Sequence, residues 1–280
     1  MNIPWKLKSS IFRIIDVLNA SNILYVLQKY VTKRSKTGIL GSSSHWQNHK
    51  KYLKKYNATG MVFEFGAGKS LAQNLFLSDV SDMQIVVDLN PMIDLDLVEK
   101  VRCQISKLID LKSNVKIETP HDLVLYGIEY RAPFDASATN FKEKSIDACI
   151  STNTLEHIPK ENIISIFLEL FRVLKDDGIV SAKIDYSDHY AHTDKKISQL
   201  NYLKFDSREW KKYNHNCHYQ NRMRHYDYLR IFKECGFDLI EEELIFSENK
   251  IPNKVKAAFK NQNETWKATS SHVVLRKKKI

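Results

Sequence analysis

The chain has 280 residues, 43% of them apolar, with eight glycines and six prolines, enough apolar material for one large core and nothing like a low-complexity or collagen-like composition. Its formal charge of +10 sits at the ends: residues 1–58 carry eleven Lys and Arg against Asp16, and residues 250–280 carry nine against Glu264, which leaves the middle at −8. An acidic middle argues against a cleft laid along a phosphate backbone, so no nucleic-acid partner is expected and the basic ends read as docking surfaces.

Residues 1–58 read as a basic helical extension. Apolar residues recur there at helical spacing, at Ile11, Ile14, Ile15 and Leu18 and again at Leu24, Val26, Leu27 and Tyr30, with Trp5 ahead of them. Lys and Arg interrupt every run before it reaches the roughly 18 residues a spanning helix needs, and no signal peptide is evident. Two readings stand for this extension. One is a helical cover over an active site; the other is an amphipathic helix on an anionic leaflet, where each basic residue adds about 1 kcal/mol. Cys103, Cys149, Cys217 and Cys235 are scattered with no paired spacing, as expected for thiols in a reducing cytoplasm. The expected location is therefore cytoplasmic, with peripheral contact at the inner face of the membrane under the second reading.

From residue 59 onward the pattern is that of a doubly wound α/β domain, spanning 59–280. Met61-Val-Phe-Glu64-Phe is an apolar run that closes on Gly66-Ala67-Gly68, a buried parallel strand whose backbone turns sharply at its carboxyl end. Glycines at such a turn admit positive φ and let a ligand approach bare backbone. Gln84 to Asp88 is a second strand, ending about 20 residues on in an acid that suits a ribose, with Leu89 next to it. A helix from Asp96 to Leu111 follows, then a strand from Asp147 to Ser151, a helix from Ile163 to Leu174 and a strand from Gly178 to Asp185. A dinucleotide loop would want a glycine where Leu71 stands, and Glu64 would repel a pyrophosphate. A P-loop spacing is absent.

These pieces, in this order, resemble the class I S-adenosylmethionine-dependent methyltransferases. Glu64-Phe-Gly66-Ala67-Gly68 resembles the family's cofactor loop, Asp88 its ribose-binding acid, Asp135-Ala136 its adenine-side pair, and Leu155-Glu156-His157 the L-E-H signature after the fourth strand. Tyr226 to Phe237 is similar to its penultimate helix with a Gly-Phe stop, and Ser271 to Leu275 to its last strand. The resemblance covers about residues 58–280. It implies a Rossmann-like, seven-stranded, mostly parallel sheet, S-adenosylmethionine as cofactor, and contacts from Glu64, Gly66, Ala67, Gly68, Asp88, Leu89, Asp135, Ala136 and Asn153. Ser70 replaces the third loop glycine, and the long gap from Asp88 to Asp135 makes room for the extra helix.

For the chemistry, His157 stands where the family faces the methyl group, either as the acceptor's base or as a histidine bonded to its own loop. Asp188-His189 after the fifth strand reads as an oriented base. Ubiquinone-pathway relatives hold a divalent metal through E-x-x-E-H, but Asn153 replaces the first carboxylate here, and Asp185, His189 and His192 lie too close in sequence to be expected on one ion. No metal is expected. A lid insert at about 187–225, dense in aromatics and amides, is expected to hold the acceptor through His192, Trp210, Tyr219, Asn221 and Arg222. Its run resembles methyltransferases of bacterial polysaccharide and cell-surface biosynthesis, so the expected substrate is an oxygen of a small molecule or glycan unit. The alternatives are an RNA methyltransferase, against which the turn Ser151-Thr-Asn-Thr154 speaks, and a catalytically silent member that binds a partner through its basic ends.

Overall fold

The computed structural model describes residues 3–18, 43–246, 251–260 and 263–279. Seven strands form one sheet: β1 (Met61–Phe65), β2 (Met83–Val87), β3 (Ile128–Arg131), β4 (Ile146–Thr152), β5 (Leu174–Asp185), β6 (Phe237–Phe246) and β7 (Ala268–Lys277). Their order is β3-β2-β1-β4-β5-β7-β6. β1 pairs parallel with β2 and β4, in register Phe63↔Ile85 and Phe63↔Cys149, and β7 runs antiparallel to both β5 and β6. The chain order reverses direction between β1 and β4. In such a sheet ligands bind beyond the carboxyl ends at that point.

Helices cover both faces, as a mostly parallel sheet demands. Phe63, Phe65, Val87 and Cys149 pack with Ile163, Phe167 and Leu170 of α5 (Lys160–Val173) and Ile231 and Phe232 of α7 (His225–Glu234). On the other face Val62, Val86 and Ile150 meet α2 (Ser43–Lys55), α3 (Ala72–Leu77) and α4 (Leu95–Ile105) through Leu53, Leu75 and Val98. The expected helix at 96–111 thus ends earlier than predicted, and Asp94 caps it by accepting from the amide of Leu97. The expected boundary after residue 58 cuts across this layer. α2 is built into the second face, its His49 bonded to Ser181 and Thr152 at 2.8 and 2.9 Å.

α1 (Trp5–Val17) is a separate case, packing on the insert instead of the sheet. Trp5, Phe12 and Ile15 join Tyr190, Tyr202, Trp210 and Trp266 in a third core, each worth roughly 1.5–3 kcal/mol of burial. Asp16 accepts the amide of Cys217 at 3.1 Å, Ser9 meets His215 Nε2 at 2.9 Å and the Trp5 amide donates to Asp194 at 2.9 Å. This corrects the helical face read from the sequence: Trp5, Ser9, Phe12 and Ile15 face inward, while Leu7, Ile11, Ile14, Val17 and Leu18 are exposed. Leu24, Val26, Leu27 and Tyr30 lie outside the described residues. Among the described residues no helix is long and apolar enough to cross a membrane.

The insert after β5 contains the single helical turn α6 (Ser207–Trp210) and is pinned by Arg224. That side chain is fully buried, and its guanidinium donates to the carbonyls of Tyr186 and Trp266, at 2.7 and 2.6 Å, and of Ala268. A buried guanidinium is tolerable only with its donors occupied in this way.

Candidate active site

Two cavities open at the carboxyl ends of the strands. The first, about 410 Å³, is lined by Gly66, Asp88, Leu89, Phe134, Asp135, Ala136 and Thr154 among others, and the second, about 600 Å³, by Lys8, His189, His192, Asn216, His218 and Tyr219; His157 and Met92 line both. The junction of the two is therefore formed by His157 and Met92.

In the first cavity the glycine loop behaves as its sequence demands. Gly66 has φ of +76°, and a Cβ there would sit 2.3 Å from a Thr154 methyl; Gly68 has φ of +73° and open space on the side where a Cβ would project. Asp88 accepts from the Gly68 amide at 3.3 Å and from the Tyr130 hydroxyl at 3.0 Å. Burial raises its pKa, and those same hydrogen bonds oppose the rise. Asp135 accepts from the amide and hydroxyl of Ser137, which hold it ionised below its usual range.

Four expected contacts lie outside the lining of this cavity. Strand alternation turns Glu64, with Val62, away from the cavity toward α3. There it accepts from Gln73 at 2.9 Å and Asn74 at 2.6 Å, and burial lifts its pKa to about 7 against those bonds. Asn153 is exposed with φ of +51°, its amide bonded to the Lys183 carbonyl at 2.9 Å. It turns the chain and leaves Thr154 to face the loop. Ala67 packs against the second core and, like Gly68, stays outside the cavity lining.

The L-E-H turn is anchored by Leu155 in the core and clamped by Asn221, whose amide group donates to the carbonyls of Leu155 and Ile158, both at 2.8 Å. Asn221 is thus a positioning residue for the turn and does not line the second cavity. His157 Nδ1 lies 2.8 Å from the Tyr219 carbonyl and must donate to it, which leaves Nε2 as the acceptor nitrogen of a neutral ring. Burial and neighbouring His189 lower its pKa, so it is uncharged at neutral pH.

The expected pair Asp188 and His189 is corrected. Asp188 is fully buried and occupied by the Tyr190 amide at 2.8 Å and Asn201 at 2.9 Å, with burial raising its pKa to about 6. The carboxylate facing His189 Nε2, at 3.3 Å, is Asp185. Burial alone would raise Asp185, yet its contacts with His189 and Ser187 prevail and hold it at about 2. Residue adjacency suggested Asp188, but alternation along the strand end sends the neighbour's side chain into the core instead.

Of the expected acceptor contacts, His192 and Tyr219 line the second cavity, Tyr219 also through its carbonyl on His157. Trp210 and Arg222 do not. Trp210 is 3% exposed in the third core, and the Arg222 guanidinium lies over its ring at 5.3 Å while donating to the Tyr202 and Phe205 carbonyls. They build the insert from within. The sequence reading missed Phe134, Thr154, Met92 and His218; of these only Thr154 carried a signal, its place after the fourth strand.

Residues 107–182 match the model of the methyltransferase domain. No curated protein matches the sequence. Among solved structures, a protein of Pyrococcus horikoshii OT3, PH0226, is similar at 16% identity and TM-score 0.53 over 91% of this chain and 99% of that one. The 1,6-didemethyltoxoflavin-N1-methyltransferase of Burkholderia thailandensis, whose crystal structure holds 1,6-didemethyltoxoflavin and S-adenosylhomocysteine, is similar at 10% identity and TM-score 0.52 over 94% and 89%. The domain match covers part of the chain, and the two solved structures share its fold; together they support an enzyme role.

Proposed function

We propose that this protein is an S-adenosylmethionine-dependent methyltransferase acting on an oxygen of a small molecule or glycan unit. The observation that carries the reading is the meeting of two cavities at His157, one suited to the cofactor and one to an acceptor. The residues fit the cofactor: Gly66 lines the cavity with bare backbone, Asp88 stands at a strand end as a buried acid for ribose hydroxyls, and Phe134, Ala136 and Ile166 offer apolar walls for an adenine. When bound, S-adenosylmethionine supplies a methyl group already activated by its sulfonium charge.

The chain's task is then alignment and proton removal. His157, held by Tyr219, presents Nε2 to an acceptor hydroxyl and takes its proton as the oxygen becomes methylated. Imidazole and amide groups from His192, Asn216 and His218 give the second cavity the hydrogen-bonding capacity that a hydroxyl-rich acceptor uses. A glycan unit, as in polysaccharide biosynthesis, is one acceptor of that class.

Calorimetric titration with S-adenosylhomocysteine tests the reading. Micromolar binding is expected, and Asp88→Asn should weaken it, because the charged acceptor facing the ribose hydroxyls is lost. Absence of binding to the native chain would remove the reading.

A second reading concerns location. The outward stripe Leu7, Ile11, Ile14 and Leu18 on α1, within a segment of strong positive charge, supports peripheral contact with an anionic leaflet at the cytoplasmic face. Ile14→Asp should halve or abolish sedimentation with anionic vesicles; unchanged pelleting would exclude α1 as the contact.

A further inference from the structure

We propose that Asp185, His189 and His192, with the carboxylate of Glu156 beside them, form a site for one divalent transition-metal ion at the acceptor cavity. The turn after β5 folds so that the His189 and His192 rings stack, centroids 4.8 Å apart, and both Nε2 atoms address the same oxygen, Asp185 Oδ2, at 3.3 and 3.7 Å. An ion about 2.1 Å from each of its ligands sets tetrahedral ligand atoms about 3.4 Å apart, the spacing already present here. The three ligand atoms lie within 4.8 Å of one another, and His189 belongs equally to a second such group with Glu156 and His157.

Glu156 supplies an independent observation. It is 3% exposed, and neither carboxylate oxygen has a hydrogen-bond partner; His189 Nε2 is likewise buried without one. A buried carboxylate is ordinarily paired or bound to a metal. The neighbouring cation on the sheet, Lys183, directs its ammonium to Ser270 Oγ at 2.6 Å. His192 Nε2 is also 3.1 Å from Ser187 Oγ, a contact the ion would replace.

Two imidazoles with carboxylates suit zinc, iron, cobalt or manganese better than magnesium or calcium, which favour all-oxygen shells. The inference deepens the acceptor reading of this cavity and rests on it. An acceptor hydroxyl ligated to the ion would have a lowered pKa, and its proton would pass to His157 Nε2. The close sequence spacing that argued against an ion is overcome by the fold, because Glu156 arrives from a different strand end.

Cobalt(II) titration of the chelator-treated full chain, without an affinity tag and followed by visible ligand-field bands, tests the site. One equivalent is expected to bind, and Asp185→Asn and His189→Ala should each weaken it about 100-fold, at the upper end of what even supporting residues cost. His192→Ala should weaken it too, and its ring is 41% exposed, so this variant keeps its fold. His121→Ala, on an exposed turn, should leave binding unchanged. No bound cobalt, or equal binding in wild type and His192→Ala with melting temperatures matched, overturns the site. S-adenosylhomocysteine calorimetry on the same samples separates the two proposals: its binding without cobalt binding overturns the ion alone.

Discussion

The cavity assigned to the cofactor takes its lining from strand ends and the turns directly after them, whereas the acceptor cavity draws on α1, the turn after β5 and residues 216–219 of the insert. In the first, backbone geometry dominates: positive φ at Gly66 and Gly68 and an acid at a strand terminus. In the second, side chains of four histidines and the carbonyl of Tyr219 do the work, and burial lowers the pKa of His157, His192 and His218. One half is set by the fold's topology, the other by loops free to vary on it.

If the two halves are separable, the largest effect should come at their junction. His157→Ala is expected to lower kcat about 100- to 10,000-fold, the range for loss of a positioned base, with S-adenosylhomocysteine affinity unchanged. Because burial and then neighbouring His189 lower the imidazole pKa, the native rate should show its acid inflection below pH 6.5. An inflection above that value would break the assignment.

Trp210 sharpens the comparison from the acceptor side. Trp210→Ala should destabilise the protein by about 3–5 kcal/mol, as emptying a core aromatic site does, measured by urea unfolding. Acceptor KM would then rise only through a loosened insert. A raised KM with full stability would place the indole against the acceptor instead.

A pH-dependent effect follows from the histidines whose burial keeps them neutral. Burial lowers His218 to about 2 and His272 to about 3, so the unfolded chain binds protons below pH 6.5 that the folded chain refuses. Their contribution to stability is complete above pH 6.5 and declines as pH falls toward 4, at about 1.4 kcal/mol per pH unit for each proton. Unfolding free energies that stay level across that window would contradict their neutral burial.

The legible part of the molecule was what depends on short spacing. Strand runs, the glycine loop and Asp88 could be placed because each is a local pattern read by neighbouring backbone, whereas the Asp135-Ala136 pair came from the family resemblance. β3 and β6 were not anticipated. Ile128–Arg131 is half-polar, and Phe237–Phe246 carries three consecutive glutamates at the sheet edge, so neither shows an unbroken apolar run or a clean alternation. Trp210 and Arg222 were read as contacts because aromatic and guanidinium groups serve equally in cores and in binding sites.

From its residues alone the chain determined a doubly wound sheet, a glycine cradle and an acid one strand away, since periodicity and positive-φ turns act within a few residues. Tertiary structure alone decided that Glu64 turns into the core, that Asp185 and not Asp188 faces His189, and that α1 packs on the insert beside the second cavity, with Phe12 stacked on His218. Each outcome depends on which side chain wins buried space once the layers pack, the last of them between segments 206 residues apart, and no local spacing encodes that competition.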